Sequence, residues 1–300
     1  MNWNQLLSNH MSKDYTYQNE PYSIKLEIMK EYIEQADCIL IGAGSGLSTA
    51  AGMSYRGKRF EENFKEFIEK YDSRYMTDMY SAGFYPFESE EEKWAYWCKY
   101  ALINIDNQEP LPLYSKLLEL VKDKEYFVYT TNVDDQFVKA GFDRDKIFAT
   151  QGTYAYIQCA KPCHNEIYYA LDLFRVMEQS TRDCRIPTYL IPKCPVCGGK
   201  MTMNLRGDST FVEDEAWHKD LNHYIEFLKK NKHKKVLLIE LGVGFNTPVI
   251  IRFPFEDMLR SHKDYRMIRL NQDYSFIPDH LNDQCIECNE DMNKIIEDLL

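Results

Sequence analysis

The 300-residue sequence has no run of about 18 apolar residues, the minimum for a helix that crosses a bilayer, so no membrane-spanning helix is expected. Its opening residues, MNWNQLLSNHMSKDYTY, lack the apolar centre of a secretory signal, and a cytoplasmic location follows as the expectation. Positive charge is also short. Lys and Arg number 36 against 47 Asp and Glu, a formal net charge of −11, which weighs against a nucleic-acid partner because such binding rests on clustered cations. The stretch Lys229 to Lys235 is the one basic cluster, and it reads as the polar end of a helix ahead of a buried strand. No internal repeat or low-complexity tract is present. In a reducing compartment the nine cysteines are not expected to form a disulfide framework, so their spacing is read as metal ligation or burial.

What the chain does have is the makings of a packed core: 44% hydrophobic residues and 14% aromatic, 22 of them tyrosine. At this length one main domain carrying an insertion is expected rather than two equal halves. Helical apolar spacing over Ile24 to Gln35 runs into the short apolar run Cys38 to Ile41, and glycines follow at once. The pattern recurs. A helical Tyr114 to Lys122 precedes a strand-like Phe127 to Thr131, and Tyr224 to Lys230 precedes Val236 to Leu241. Met267 to Leu270 is a further strand, and an amphipathic helix from about Asn289 to Leu300 closes the chain. This alternation predicts an α/β fold, a Rossmann-type doubly wound parallel sheet with helices on both faces. Two stretches depart from it. About Met53 to Ala101 is rich in Tyr, Phe, Trp and Glu without a clear strand, and about Tyr156 to Asn204 holds five of the nine cysteines and several prolines. Both are read as one smaller lobe, leaving Rossmann parts at about 24–52, 102–155 and 206–300 and lobe parts at about 53–101 and 156–205.

In such a sheet, sites belong at the C-terminal strand ends. The first strand ends in Gly42-Ala43-Gly44-Ser45-Gly46, where glycines between strand and helix let a backbone approach a pyrophosphate. It is not a complete G-x-G-x-x-G, because Leu47 takes the sixth place. Four more polar strand ends accompany it: Thr130 to Asp134, Ile147 to Gly152, Glu240 to Pro248 and Arg269 to Asp273. Each alone could be a capped strand end. Five at one sheet edge make a crevice.

The pairs Cys159-x-x-x-Cys163 and Cys194-x-x-Cys197 have ligand spacing for one structural Zn2+, although the 30 residues between them exceed the usual ribbon spacing. Four buried thiols are the alternative. His164 and Cys184 are possible substitute ligands, while Cys38, Cys98, Cys285 and Cys288 are left as core or surface residues, the last two also half a site in spacing.

Taken in order, Gly42-Ala43-Gly44, Thr131-Asn132-Val133-Asp134, Gln151-Gly152, the paired cysteines, Gly242-x-Gly244 with Asn246, and Asn271 resemble the motifs of the sirtuins over roughly Ile24 to Asp273. The resemblance implies NAD+ as co-substrate. Gly42, Ala43, Gly44, Gly242, Asn246 and Asn271 would contact the dinucleotide, with Asn132 and Asp134 at the nicotinamide end. Ser48, Tyr55, Arg56, Gln151, Val243 and Gly244 would join them. Typical protein deacylases of the family have His where this chain has Gln151, and an aromatic-glycine-acid triplet where it has Val212-Glu213-Asp214. The usual Pro-Asp-Phe-Arg is replaced by Gly52-Met53-Ser54-Tyr55-Arg56-Gly57, followed by Arg59 and Phe60. These departures are similar to the class M sirtuins, regarded as protein ADP-ribosyltransferases associated with macrodomain proteins and lipoyl-carrier proteins. By that resemblance Asn132, Gln151 and Arg206 are the central catalytic or substrate-organising residues, with Asp134 beside them. A surface salt bridge is the plainer reading of Arg206.

Breaking the nicotinamide–ribose bond builds positive charge on the ribose, which a nearby anion or amide oxygen can stabilise. Asp134 and Asn132 suit that task. A deacylase needs a base on the other side, and Gln151 cannot accept a proton at neutral pH; it can only orient by hydrogen bonds. An acceptor that is already a carboxylate needs no base. NAD-dependent transfer of ADP-ribose to a protein is therefore the expected activity. Deacylation or NAD hydrolysis is the second reading, and a non-catalytic module binding NAD or ADP-ribose the third. A furnished nicotinamide pocket argues against that third reading.

Overall fold

A computed structural model describes residues 20–300, so the reading of the first residues as lacking a signal lies outside the described part. Six parallel strands form the main sheet: β1 (Cys38–Ala43), β2 (Glu125–Thr130), β3 (Ile147–Ala149), and further along β7 (Val236–Leu241), β8 (Arg266–Leu270) and β9 (Cys285–Cys288). Their order, β3-β2-β1-β7-β8-β9, reverses direction between β1 and β7, which is where a doubly wound sheet opens its crevice. The doubly wound expectation is met.

Alternation along the strands explains why the sheet is covered on both sides. Ile39 and Ile41 face one core with Val128, Leu237 and Ile239, closed by the helices Tyr22–Gln35, Pro112–Val121 and Met292–Leu299. Cys38 and Leu40 face another with Phe127, Leu238 and Met267, closed by Glu215–Asn231 and Arg252–Ser261. Every residue of β1 and of β7 is buried, as all-parallel central strands require. Lys230 and Lys234, from the basic cluster, pair with Glu125.

A second core holds the smaller lobe. The helices Lys58–Asn63, Lys65–Lys70, Met79–Ala82, Glu90–Ala101 and Leu171–Ser180 pack against an antiparallel sheet of β4 (Gly152–Cys159), β5 (Ile167–Tyr169) and β6 (Met201–Leu205), in the order β5-β4-β6. Phe60, Phe64, Phe67, Trp94, Tyr96 and Tyr100 are buried there, which accounts for the aromatic wealth of this stretch. Leu102 and Ile105, on a π-helical turn (Leu102–Asp106) that continues Glu90–Ala101, also pack into this core, as do Tyr154 and Ala155. Met53 packs instead with the main sheet. The chain therefore passes between the layers a few residues away from the sequence-based divisions near 52, 101 and 155. Among the described residues no helix is long and apolar enough to cross a membrane.

Candidate active site

The ends of β1, β2, β3, β7 and β8 lie side by side on one edge of the main sheet. At the β1 end, Gly44 is extended and leads into the helix Ser45–Ala50. Its glycines do more than admit a ligand. A Cβ at Gly44 would stand 2.8 Å from the Gly242 carbonyl oxygen, and one at Gly46 2.7 Å from the same atom. Gly242 itself has φ +60°, and a Cβ there would meet Leu47 N at 2.3 Å. The β1 and β7 loops are thus interlocked backbone to backbone, tied by Gly46 N–H to the Gly242 carbonyl at 3.0 Å. Gly42 lies beneath Ile251 and Phe255, where a Cβ would come within 2.6 Å. Gly244 has open space around it.

Next to these loops is a buried polar knot. Asn132 Nδ2 lies 3.1 Å from the Gly44 carbonyl, 3.2 Å from Ser48 Oγ and 3.3 Å from Tyr114 Oη. Ser48 Oγ lies 2.7 Å from Tyr114 Oη and donates to Asp134 Oδ2 at 2.6 Å. Asp134 Oδ1 accepts from Gln136 N–H. Burial raises the Asp134 carboxyl above the usual carboxylate range, opposed by the Ser48 hydrogen bond. Tyr114, on the helix Pro112–Val121, is the member that sequence reasoning missed: its apolar helical spacing reads as core, and nothing local marks its hydroxyl.

Asp135 was missed as well. It sits in the left-handed region at φ 55° and accepts from Thr153 Oγ1 at 2.9 Å. Burial pushes its carboxyl up to about 6, aided by the adjacent Asp134 charge. A carboxyl whose native pKa is raised favours the fold most when protonated; that contribution is complete below the unfolded pKa and is lost as pH rises through about 6. Asp135→Asn keeps an acceptor for Thr153 and tolerates the left-handed backbone. It is expected to stabilise the protein at pH 8 by about 1–3 kcal/mol, with the difference vanishing below about pH 4. Urea denaturation across that range measures it; equal gains at both ends would remove the charge as the cause.

The remaining candidates lie on the segment after the helix Ser45–Ala50 and on the loops after β7 and β8. Tyr55 Oη lies 3.1 Å from Tyr154 Oη, which lies 2.8 Å from Tyr100 Oη, and burial raises Tyr55 to about 12. Arg56 is exposed, 3.8 Å from Asp78. Arg59 bonds Asn104 and the Ser54 carbonyl, fixing the loop, while Phe60 belongs to the lobe's core. Val243 is buried and its carbonyl accepts from Asn271 Nδ2 at 2.9 Å; Asn271 Oδ1 accepts from the N–H groups of Asp273 and Tyr274. Asn246 is exposed. Beneath this end lies an unforeseen ionic group, in which Arg269 bonds Glu240 and Glu256 at 2.9 Å each and Arg252 donates to the Tyr274 and Phe276 carbonyls. It pins the loop after β8 from below.

At the β3 end, Gln151 is half-buried, and its carboxamide has no hydrogen-bond partner among the described residues. Its carbonyl accepts from Arg206 N–H at 3.1 Å. Arg206, whose own N–H makes that bond, also forms a salt bridge to Glu213 at 2.6 Å.

The four cysteines come together below β4 and β6. Cys159 Sγ and Cys197 Sγ are 3.7 Å apart, as are Cys163 Sγ and Cys194 Sγ, and all four sulfurs lie within 4.8 Å of one another. A tetrahedral ion with Zn–S of about 2.3 Å needs sulfurs about 3.8 Å apart, so the four residues fit zinc. Gly198 at φ +69° turns the Cys194–Cys197 loop, and the Cys197 backbone N–H holds the Cys194 thiol down at about 6, favouring thiolate. His164 Nδ1 contacts Cys163 Sγ at 3.0 Å from outside the cluster. Cys184 is buried elsewhere in the lobe, as Cys38, Cys98, Cys285 and Cys288 are buried in theirs, and Cys285 and Cys288 form edge strand β9 rather than a half-site.

A model described as the Sir2 family matches residues 44–243. A Staphylococcus aureus protein named protein ADP-ribosyltransferase is 36% identical over 271 residues, 90% of this chain and 85% of that one. A Fusarium oxysporum f. sp. cubense protein named probable bifunctional ADP-ribose hydrolase/ADP-ribosyltransferase is 32% identical over 260 residues, 82% of this chain but only 42% of that longer one. Among solved structures, Sir2Tm bound to a propionylated peptide superposes with a TM-score of 0.57 at 16% identity, covering 91% of this chain and 96% of that one. A Sir2 complex with a p53 peptide and NAD+ does so at 0.57 and 16%, covering 91% and 95%. At those identities the structures speak for the fold.

Proposed function

The chain belongs to the Sir2 family of NAD-dependent enzymes, and from that premise we propose that it transfers the ADP-ribosyl group of NAD+ to a carboxylate on a protein acceptor. The observation that carries the reading is at the β3 end, where Gln151 holds the position that the family's deacylases give to a histidine base and its carbonyl accepts from Arg206 N–H. A carboxamide orients and a guanidinium attracts an anion, but neither takes up a proton at neutral pH. An acceptor already ionised is what such a pair suits. The name of the S. aureus relative supports the same activity.

NAD+ would supply the ADP-ribosyl group and release nicotinamide. In the reading proposed, the interlocked Gly42 to Gly44 and Gly242 to Gly244 loops hold the pyrophosphate, with Val243, Asn246 and Asn271 toward the adenosine and Ser48, Tyr55 and Arg56 toward the other ribose. Asn132 and Asp134 face the nicotinamide end, where Ser48 holds the carboxylate in place as charge develops. Gln151 and Arg206 orient the acceptor. As acceptor we propose a lipoyl-carrier protein, which the class M resemblance supports. A macrodomain protein removing the product is proposed as a partner, and the fused hydrolase in the name of the Fusarium relative supports it. A reducing, cytoplasmic setting is part of the proposal, in which four of the nine cysteines hold the metal as thiolates.

Incubation with labelled NAD+ and host lysate, followed by mass spectrometry, tests the reaction. The expected product is ADP-ribose on an acidic side chain. Efficient deacylation of lysine peptides without protein labelling would overturn it, and binding of NAD+ without either reaction would favour a binding module. NAD+ at about 100 times its dissociation constant is expected to stabilise the protein by about 2.7 kcal/mol. A melting temperature indifferent to NAD+, with no heat of binding in calorimetry, would count against the site itself.

A further inference from the structure

The segment after β6 builds a cage around Arg206. Phe211 lies 4.3 Å from the Arg206 guanidinium carbon and Trp217 5.3 Å, measured to the ring centres. Arg206 Nε donates to the Thr150 carbonyl at 3.3 Å, and Trp217 Nε1 donates to the same oxygen at 3.2 Å. Nη2 donates to Glu213 Oε1 at 2.6 Å, and Nη1 has no hydrogen-bond partner among the described residues. The other Glu213 oxygen lies 3.9 Å from His218 Nε2.

Stacking, the Thr150 carbonyl and the Arg206 backbone bond to Gln151 hold the guanidinium whether or not Glu213 is present. The Arg206 and Glu213 side chains are 32% and 35% exposed, so their attraction is screened and cheap to break. A carboxylate that is not needed for orientation, yet sits on a fixed guanidinium beside Gln151, has the place an incoming acceptor carboxylate would take. The geometry points to Glu213 as a resident stand-in for the acceptor: a specificity-determining residue that an anionic acceptor must displace from Arg206. This rests on the proposed carboxylate acceptor and adds a competitor to it. The stand-in keeps Arg206 from carboxylates that lack further contacts with the enzyme, because only an acceptor with surplus binding energy can evict it.

The probe is a fluorescein-labelled hexaglutamate peptide, followed by anisotropy at low salt with saturating ADP-ribose. Glu213→Gln is expected to tighten peptide binding about fivefold, the size of a partly exposed ion pair that no longer has to be broken. Arg206→Gln should abolish the gain when combined with it. Glu215→Gln removes the same charge two residues away and should leave binding within twofold of the unaltered protein. Unchanged or weaker binding by Glu213→Gln, a gain that survives loss of Arg206, or an equal gain from Glu215→Gln overturns the inference. Melting temperatures within about 2 °C of the unaltered protein establish that the variants are folded. Calorimetric binding of NAD+ and labelling of a lysate acceptor by the unaltered protein report on the functional reading separately.

Discussion

Asn132→Ala is expected to lower ADP-ribosyl transfer about 10²–10³-fold while changing NAD+ affinity far less, the loss typical of one hydrogen-bonding group aimed at developing charge. The carboxamide has two N–H groups and three acceptors within 3.1–3.3 Å, so its amide nitrogen is fixed from the protein side. Its oxygen has no partner among the described residues, as the proposed contact with the reacting ribose requires. Alanine removes that oxygen and also releases the Ser48 hydroxyl that holds Asp134. Initial rates of label incorporation and calorimetric NAD+ binding, taken together, give the split. A loss under about tenfold would place Asn132 outside the reacting centre. Gln151→Ala should cost less, since a half-buried carboxamide without protein partners among the described residues supports no other side chain, and in the proposed reaction it only orients the acceptor.

Loss of the metal should have the larger effect on stability. One zinc per chain is expected by elemental analysis, and Cys194→Ser is expected to release it and lower the melting temperature by more than about 10 °C. Structural zinc contributes apparent binding energies of about 10–16 kcal/mol in small peptides, and each kcal/mol lost shifts melting by about 2–4 °C in a domain of about 200 residues. The cluster joins the end of β4 to the turn before β6, two neighbours in the smaller sheet, and its sulfurs have few other partners to replace the ion. Near-ultraviolet dichroism should report the loss strongly, because the lobe's core is aromatic. Purified protein without zinc, and melting indifferent to a chelator, would leave four close thiols and no metal.

Much of the main sheet was legible because its signals are local. Val236 to Leu241 is legible to the residue, since an apolar run broken only by Glu240, preceded by lysines and closed by Gly242, has one reading at that length. The helix expected over Tyr224 to Lys230 begins nine residues earlier, at Glu215, because its first turns carry Trp217 and Leu221 among polar residues and Asp214 caps it by accepting from Trp217 N–H. The edge strand β9 went unrecognised. Four residues including two cysteines resemble a ligand pair more than a strand, and only pairing with β8 defines them.

The chain itself determined the five polar strand ends, the two cysteine pairs and the exchange of a base for Gln151, since each depends on residue type and short spacing. Tertiary structure decided what those residues touch. That Gly44 and Gly46 are required by the Gly242 backbone, that Tyr114 completes the Asn132–Ser48–Asp134 knot from 18 residues before Asn132, and that Glu213 closes on Arg206 are all consequences of chain crossings. A hydroxyl on an apolar helix face, or a carboxylate in a polar loop, carries no local mark of its partner. The partner is fixed only when burial brings distant segments within hydrogen-bonding distance.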